Sequence, residues 1–213
     1  MKQALPFILL LFSFTLAASA KTDKKAKNIL DKTAAALKKA GDIETQFTAT
    51  SFKGEKETGR MTGKLYLHKE AFHLVSDKVI YWYDGKTMWN FVKENNEVNI
   101  SNPPFYDQQA MNPYTVISLY RKGYEYDYGE STLRGKSCYC IHLRSIEKTQ
   151  KIKEMYLDID KTTFYPVCIR MRRGNDGWTR MSIHAYRDHQ KYNEDKFRFK
   201  KEEYPSAEII DLR

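Results

Sequence analysis

The stretch from Gly63 to Pro103 constrains the fold most, because it has strand-like alternation yet is apolar on both faces. Successive side chains of a strand point to opposite faces, so the run Val79–Tyr83 (VIYWY) places three apolar side chains on one face and two on the other. A sheet with one face in water would alternate apolar and polar residues. We therefore expect either cover on both faces or an apolar cavity on one.

Turn signals divide this stretch and the rest of the chain into short antiparallel strands. Asp84-Gly85 lies between two apolar runs and predicts a tight hairpin, and Asn95-Asn96 ends the next strand in a similar way. Alternating runs continue to a last short strand predicted at Phe197–Lys201. The sequence thus predicts a mainly β (α+β) fold, a strongly curved antiparallel sheet or incomplete β-barrel of about eleven strands.

Two segments have helical rather than strand periodicity. Apolar residues recur at helical spacing over Thr22–Ala40, with lysines on the other face and Gly41 as a stop signal. A second helical segment is predicted within Phe105–Arg121, where Asn112 is a good N-cap and Pro113 suits the first helical position. We expect an N-terminal helix and a helical lid over the apolar face of the sheet.

The first twenty residues have the pattern of a secretory signal peptide. One lysine precedes an apolar core from Leu5 to Leu16, and Ala18-Ser19-Ala20 predicts cleavage near Ala20. Residues 21–213 then form one domain and, without Lys2, carry 35 basic against 27 acidic residues. This surplus suits an anionic membrane surface, an acidic partner or simply a solvated surface. An export signal argues against nucleic acid as a partner.

The cysteines and histidines indicate neither a disulfide nor a catalytic site. Cys138 and Cys140 are two residues apart on one strand, and Cys168 is expected two strands away, so both spacings suit a disulfide poorly. We expect free thiols, and Cys-x-Cys with His142 is a weak metal signal. The chain contains no nucleophile elbow, phosphate-binding glycine loop or His-Glu-x-x-His. We predict no enzyme, no cofactor and no metal.

Several motifs, in order, resemble the outer-membrane lipoprotein carrier (LolA-like) family of the bacterial periplasm. They are the helix leading into IETQFTATSF, the Gly-x-Leu-x-Leu start at Gly63, Ser76-Asp77, the run Asp84–Trp89 (DGKTMW), Asn112-Pro113 and the ending FRFKKEEYPSAEIIDLR. The resemblance covers most of the chain after the signal peptide, and DGKTMW is its most specific piece.

The resemblance implies a soluble periplasmic carrier with an incomplete barrel, a helical lid and a cavity for the acyl chains of lipoproteins. Burying these chains is worth about 0.8 kcal/mol per methylene, so they do not cross water unaided. The implied partners are acylated lipoproteins, an inner-membrane lipoprotein-release transporter and an outer-membrane acceptor. We expect a monomer that moves cargo from the inner to the outer membrane.

Candidate site residues follow from the alternation and the resemblance. The apolar and aromatic residues expected to line the cavity are Phe72, Trp82, Met88, Trp89, Phe91, Met111 and Ile117. Whether Trp82 or Trp89 points inward depends on the strand register. Lys69 stands where the family has an arginine that holds the lid, and lysine lacks the planar fork of arginine.

Other functions on the same scaffold stay open from the sequence. The chain could carry or sense another envelope lipid or glycolipid, because an apolar cavity does not specify a head group. A sensor of this type usually has a second domain, and the family's outer-membrane receptor needs a cysteine after its signal. An envelope hydrolase would need a polar constellation inside the cavity.

Overall fold

A computed structural model describes residues 23–102, 119–174 and 177–213. The described part has one α-helix, α1 (Lys24–Ala40), and three short 3-10 helices at Leu119–Arg121, Glu194–Phe197 and Lys201–Glu203. Its twelve strands are β1 (Asp42–Lys53), β2 (Lys56–His68), β3 (Ala71–Ser76), β4 (Val79–Tyr83), β5 (Met88–Val92), β6 (Glu97–Ser101), β7 (Tyr124–Leu133), β8 (Lys136–Ser145), β9 (Ile152–Asp160), β10 (Pro166–Arg173), β11 (Trp178–Gln190) and β12 (Glu208–Asp211).

All twelve strands form one open, curved sheet in the order β12-β6-β5-β4-β3-β2-β1-β11-β10-β9-β8-β7. Every pairing is antiparallel except that of β12 with β6. Two local meanders, β1–β6 and β7–β11, meet at the pairing of β1 with β11. The predicted fold class is confirmed.

Helix α1 ends at Ala40, as the sequence predicts, and begins at Lys24, two residues after the predicted start. The Asp23 carboxylate accepts hydrogen bonds from the backbone N–H groups of Lys25 and Ala26, at 2.6 and 3.2 Å, which caps the helix. Gly41 ends it at φ +66°, a left-handed conformation that glycine adopts without strain. We call the side of the sheet that carries α1 the helix face and the opposite side the outer face.

The helix face carries apolar clusters over β1–β5 and β7–β11. The first half of α1, including Ile29 and Leu30, shares a buried cluster with the strands β7–β11. The second half, including Leu37, shares a second cluster with β1–β5. The helix therefore joins the two meanders on this side.

The outer face is apolar only in the first meander, where the C-terminal segment (residues 191–213) covers it. Trp82 and Phe91, both under a tenth exposed, form a cluster with Ala207, against which Phe199 and Tyr204 pack. This explains why VIYWY is apolar on both faces, since α1 lies on one side and the C-terminal segment on the other. The expected cover on both sides is present.

The predicted last strand at Phe197–Lys201 is wrong. Phe197 ends a 3-10 helix, Lys201 begins another, and the closing strand is β12. Phe197 and Phe199 alternate because each packs against an aromatic ring of the sheet, His68 at 5.7 Å and Trp82 at 5.5 Å, and neither pairs with a strand. The alternation that predicts a strand thus comes from contacts with the outer face.

Some sequence predictions lie outside the described residues. These are the signal peptide and most of the predicted lid from Phe105 to Arg121. Only Leu119–Arg121 of the lid segment is described, as a 3-10 helix. No helix of the described part is long and apolar enough to cross a membrane.

Candidate functional site

A set of half-buried apolar residues on the helix face forms the candidate site. Ala49 on β1 pairs with Met61 on β2 on one side and with Met181 on β11 on the other, so a small residue lies between two long ones. Met61, Met181, Val79 and Tyr81 are half-buried and pack against the cluster that holds Leu37 of α1. We call Ala49 and these four residues the methionine patch.

Methionine is concentrated on this face. The chain has seven methionines, of which two, Met1 and Met111, lie outside the described residues. The remaining five all belong to, or pack against, the two clusters of the helix face: Met61, Met88, Met155, Met171 and Met181. Unbranched thioether side chains fill irregular space and repack easily. This face can therefore adapt to apolar material of varying shape.

Uncharged polar groups lie within and beside the methionine patch. Burial raises the pKa of the Tyr81 hydroxyl, so that group stays protonated at neutral pH. Asn90 pairs with Tyr81, and its buried side-chain oxygen has no hydrogen-bond partner among the described residues; nor has the buried hydroxyl of Thr33 on α1. Each of these groups can form a hydrogen bond within apolar surroundings, which suits the binding of a mainly apolar molecule.

The structure divides the predicted cavity residues between the two faces. Phe72 and Met88 lie on the helix face and are buried. Trp82, Trp89 and Phe91 lie on the outer face with the C-terminal segment. Trp82 pairs directly with Trp89, so both tryptophans share that face. The expectation of one cavity lined by all five is corrected, because alternation gives relative sides and does not identify which side carries the helix.

The other predicted residues are Met111, Ile117 and Lys69. Met111 and Ile117 lie outside the described residues. Lys69 is exposed in the two-residue turn between β2 and β3, at φ +52°. The segment that it would hold is largely outside the described part, so the lid contact of Lys69 stays a prediction.

Lys69 borders a groove of about 390 Å³ at the end of the sheet, between two hairpin turns and the C-terminal segment. Arg198 lies 3.4 Å from Asp84 across this groove. Asp42 holds His68, which lines the groove, because its carboxylate lies 2.7 Å from Nδ1 of His68; it also accepts a hydrogen bond from the backbone N–H of Tyr192 at 2.9 Å. No sequence motif marks Asp42, whose only signal is its place directly after Gly41.

The three cysteines are free, as predicted. Cys138 and Cys168 are buried and Cys140 is half-buried on the outer face. Cys140 and Cys168 each pair with Asp158 on the strand between them. Burial, and then the nearby Asp158 carboxylate, raise the pKa of Cys140 to about 11. These thiols are protonated at neutral pH, and the described residues contain no cluster of metal-binding side chains.

A protein-family model described as outer membrane lipoprotein carrier protein LolA matches residues 16–175. The match covers most of the chain. This protein belongs to the LolA family. A search of curated proteins found no match. The resemblance predicted from the sequence motifs is confirmed.

Solved structures are similar to this chain at the level of fold. An uncharacterized conserved protein from Thermus thermophilus is 14% identical with a TM-score of 0.59, covering 88% of this chain and 99% of that one. A LolA superfamily protein from Nitrosomonas europaea is 7% identical with a TM-score of 0.46, covering 82% and 97%. MucB, in the MucA/MucB complex from Pseudomonas aeruginosa, is 15% identical with a TM-score of 0.43, covering 84% and 62%.

Proposed function

We propose that this LolA family protein is a periplasmic carrier that binds the acyl chains of lipoproteins on its helix face. It takes them from an inner-membrane lipoprotein-release transporter and delivers them to an outer-membrane acceptor. The family description supports the cargo class. The observation that carries the proposal is the methionine patch, an uncharged and half-buried apolar surface beside α1.

The composition of the helix face suits binding followed by release. Each methylene moved from water to an apolar surface contributes about 0.8 kcal/mol, so full burial of several acyl chains would hold the cargo too tightly to deliver. A surface of methionines at Met61 and Met181, with Ala49 between them, accommodates chains without one close-packed arrangement. Incomplete packing keeps affinity below its maximum and makes transfer to an acceptor possible.

The direct test is release of labelled lipoprotein from bacterial spheroplasts by this protein, purified after export. A soluble complex of one lipoprotein with one carrier is the expected result. If the protein releases no lipoprotein but binds another envelope lipid in native mass spectrometry, the fold assignment stands and the proposed cargo is wrong. That outcome would favour the alternative carrier or sensor of a lipid or glycolipid.

Variants of the methionine patch test where the acyl chains bind. Met61→Gln together with Met181→Gln keeps side-chain volume but adds buried amides, and we expect acyl-chain affinity to fall by at least roughly tenfold. The matched control, Met61→Leu with Met181→Leu, keeps the surface apolar and should bind nearly as the wild type does. Equal binding by both double variants would move the site away from the patch.

Outer-face variants provide a second control. Trp89 packs with the outer-face cluster, so Trp89→Ala should leave the affinity for acyl chains unchanged. Loss of binding in this variant, with the fold intact by circular dichroism, would return the site to the outer face. Phe72 and Met88 are buried in the cluster against which the patch packs, and they remain proposed contributors to acyl-chain binding.

Lys69 remains the proposed contact of the lid. Its exposed ammonium group can donate hydrogen bonds to lid carbonyls, although with less geometric fit than arginine. Lys69→Leu should impair transfer to the acceptor more than uptake, and Lys69→Arg should preserve both. Unchanged transfer in Lys69→Leu would exclude this role.

A further inference from the structure

One end of the second meander carries a concentration of basic side chains, which we call the basic rim. It comprises Arg121 and Lys122 before β7, the segment from Ser145 to Lys153 that contains the connection between β8 and β9, and Arg172 and Arg173 at the end of β10; Glu147 is the one acidic residue of this set. The backbone N–H of Ile146 donates to the carbonyl of Gly123 at 3.0 Å, which joins the first two parts. The Arg172 guanidinium and Lys153 both border the same surface hollow of about 540 Å³.

The positive charge of this rim is only partly neutralised. Arg144, which borders the hollow next to the rim, is paired with Glu125 and Asp127, and Arg172 with Glu154. Lys148 and Lys153 also line the hollow, and no ion pair joins either to a carboxylate of the described residues. The Lys153 ammonium instead donates to the backbone carbonyl of Lys148 at 2.6 Å, which holds the two lysines side by side.

An exposed isoleucine stands beside these lysines. Ile146 is 54% exposed, and Leu212, near the C-terminus, is the only other large apolar residue that is similarly exposed in the described ranges. Ile146 immediately follows β8 and borders the hollow with Lys148. The rim thus combines Lys148 and Lys153, neither of which forms an ion pair with a carboxylate of the described residues, with a protruding apolar side chain.

We infer that the basic rim docks this protein onto the surface of an anionic phospholipid bilayer. Lysines near such a surface are attracted to its negative potential, and an adjacent apolar side chain inserts at the level of the head groups. An acidic protein patch would match the lysines but would leave Ile146 against a charged surface. The pairing of Ile146 with Lys148 and Lys153 therefore favours lipid.

The basic rim lies at the end of the sheet toward which one end of the methionine patch also lies. Strand β4 begins at the same end of the sheet at which β8 ends and β9 begins, so Val79 of the patch lies toward the rim. A docked protein would turn this end of its helix face toward the bilayer. This orientation depends on the proposed function, whereas docking itself does not.

The experiment is vesicle flotation with the protein purified after export and free of cargo. Vesicles of phosphatidylcholine containing phosphatidylglycerol should retain the protein at low salt and lose it at high salt, and pure phosphatidylcholine should not retain it. Lys148→Gln with Lys153→Gln should weaken retention about thirtyfold, since each lysine near an anionic surface contributes about 1 kcal/mol. Ile146→Ser should weaken retention about fivefold.

The matched control is Lys200→Gln with Lys201→Gln, which removes the same charge from exposed positions of the C-terminal segment. It should bind vesicles nearly as the wild type does. An equal loss in both double variants would mean that net charge alone causes binding and would overturn the inference. Absence of vesicle binding by the wild type, or retention that the rim variants leave unchanged, would also overturn it.

A polyglutamate peptide distinguishes the other class of partner. Peptide binding that requires Lys148 and Lys153, in the absence of vesicle binding, would overturn the inference and reassign the rim to an acidic protein. Acyl-chain binding by the same preparations is measured separately with a labelled lipopeptide in solution. The rim variants should retain it, so failure of docking and failure of the carrier proposal are distinguishable.

Discussion

The two meanders of this sheet share an apolar helix face but differ on their outer faces. In β3–β5 the outer face is aromatic and buried by the C-terminal segment, as at Trp82 and Phe91. In β8–β10 it carries ion pairs in contact with water, such as that of Arg172 with Glu154. The outer face is therefore aromatic where the C-terminal segment covers it and ionic where it is in contact with water.

Two histidines show this difference at single residues. His73 lies between the rings of Trp82 and Tyr66, at 5.3 and 5.6 Å, and neither of its ring nitrogens has a hydrogen-bond partner among the described residues. His142 stacks on Tyr156 at 4.1 Å, accepts a hydrogen bond from Arg144 on Nδ1 and lies 2.8 Å from Glu154 through Nε2. One imidazole serves as an apolar ring in the first meander, and the other joins an ionic network in the second.

The largest expected difference is between Trp82 in the first meander and Trp178 in the second, which both lie on the outer face. Trp82→Ala removes a buried ring and should lower the free energy of unfolding by roughly 3–5 kcal/mol. Trp178 is half-buried beside Tyr156 and Arg172. Trp178→Ala should therefore lower the free energy of unfolding by less than about 1.5 kcal/mol. Urea denaturation of both variants measures the gap, and equal costs would show that the C-terminal segment does not bury the first outer face.

A pH dependence should separate the two histidines. Burial, with a smaller contribution from Lys196, lowers the pKa of His73 from its ordinary value of 6.5 to about 4. Between these values the unfolded chain binds a proton that the folded chain does not, so the free energy of unfolding falls as pH drops from 6.5 to 4. The loss should approach about 3 kcal/mol at the acid end.

His73→Phe should remove that part of the pH dependence and leave stability at neutral pH nearly unchanged, because the ring it replaces makes no hydrogen bond with the described residues. His142→Phe is the control, and in this variant the free energy of unfolding should still fall between pH 6.5 and pH 4. Thermal or urea unfolding across this pH range provides the measurement. The same pH profile for His73→Phe and the wild type would refute the assignment.

Asp42 should control attachment of the C-terminal segment. Asp42→Ala removes the acceptor for both His68 and the backbone N–H of Tyr192. This should lower the free energy of unfolding by about 2 kcal/mol. Hydrogen exchange in β12 should rise as the cover loosens. Asp188→Ala, which loses a hydrogen bond from Tyr165 instead, should leave exchange in β12 unchanged. Faster exchange in both variants would indicate general destabilisation.

The smallest expected effect lies in the outer-face ion pairs of the second meander. Arg144 is two-fifths exposed and pairs with Glu125 and Asp127. Solvent screening limits the contribution of such ion pairs to stability. Arg144→Gln should therefore lower the free energy of unfolding by no more than about 1 kcal/mol. A cost above that of Asp42→Ala would mean that this network stabilises the sheet as strongly as the apolar cover stabilises the first meander.

The sequence predicted those elements whose signals are local. Helix α1 followed from its periodicity and Gly41, and the hairpin at Asp84-Gly85 followed from its turn residues. The need for cover on both faces followed from VIYWY. Family membership followed from motifs in order, the most specific being Asp84–Trp89.

Features that depend on long-range placement were not predictable in this way. Alternation separates Trp82 from Tyr81 but does not say which of them faces the helix when both are apolar. Phe197 and Phe199 resemble a strand because both pack on the sheet surface. Met61 and Met181 are far apart in sequence, and only the pairing of β1 with both β2 and β11 brings them to the sides of Ala49.

The junction between the meanders has a consequence for how the chain folds. Each meander pairs neighbours in sequence, but Thr48 on β1 and His184 on β11, which hydrogen-bond at the junction, are 136 residues apart. Contacts of such separation form late because a long loop must close first. Each meander can form by local pairing, and one edge of β1 remains unpaired until β11 is available to pair with it. Assembly of the sheet is then expected to be limited by one late pairing step, before which an exposed edge is open to other strands.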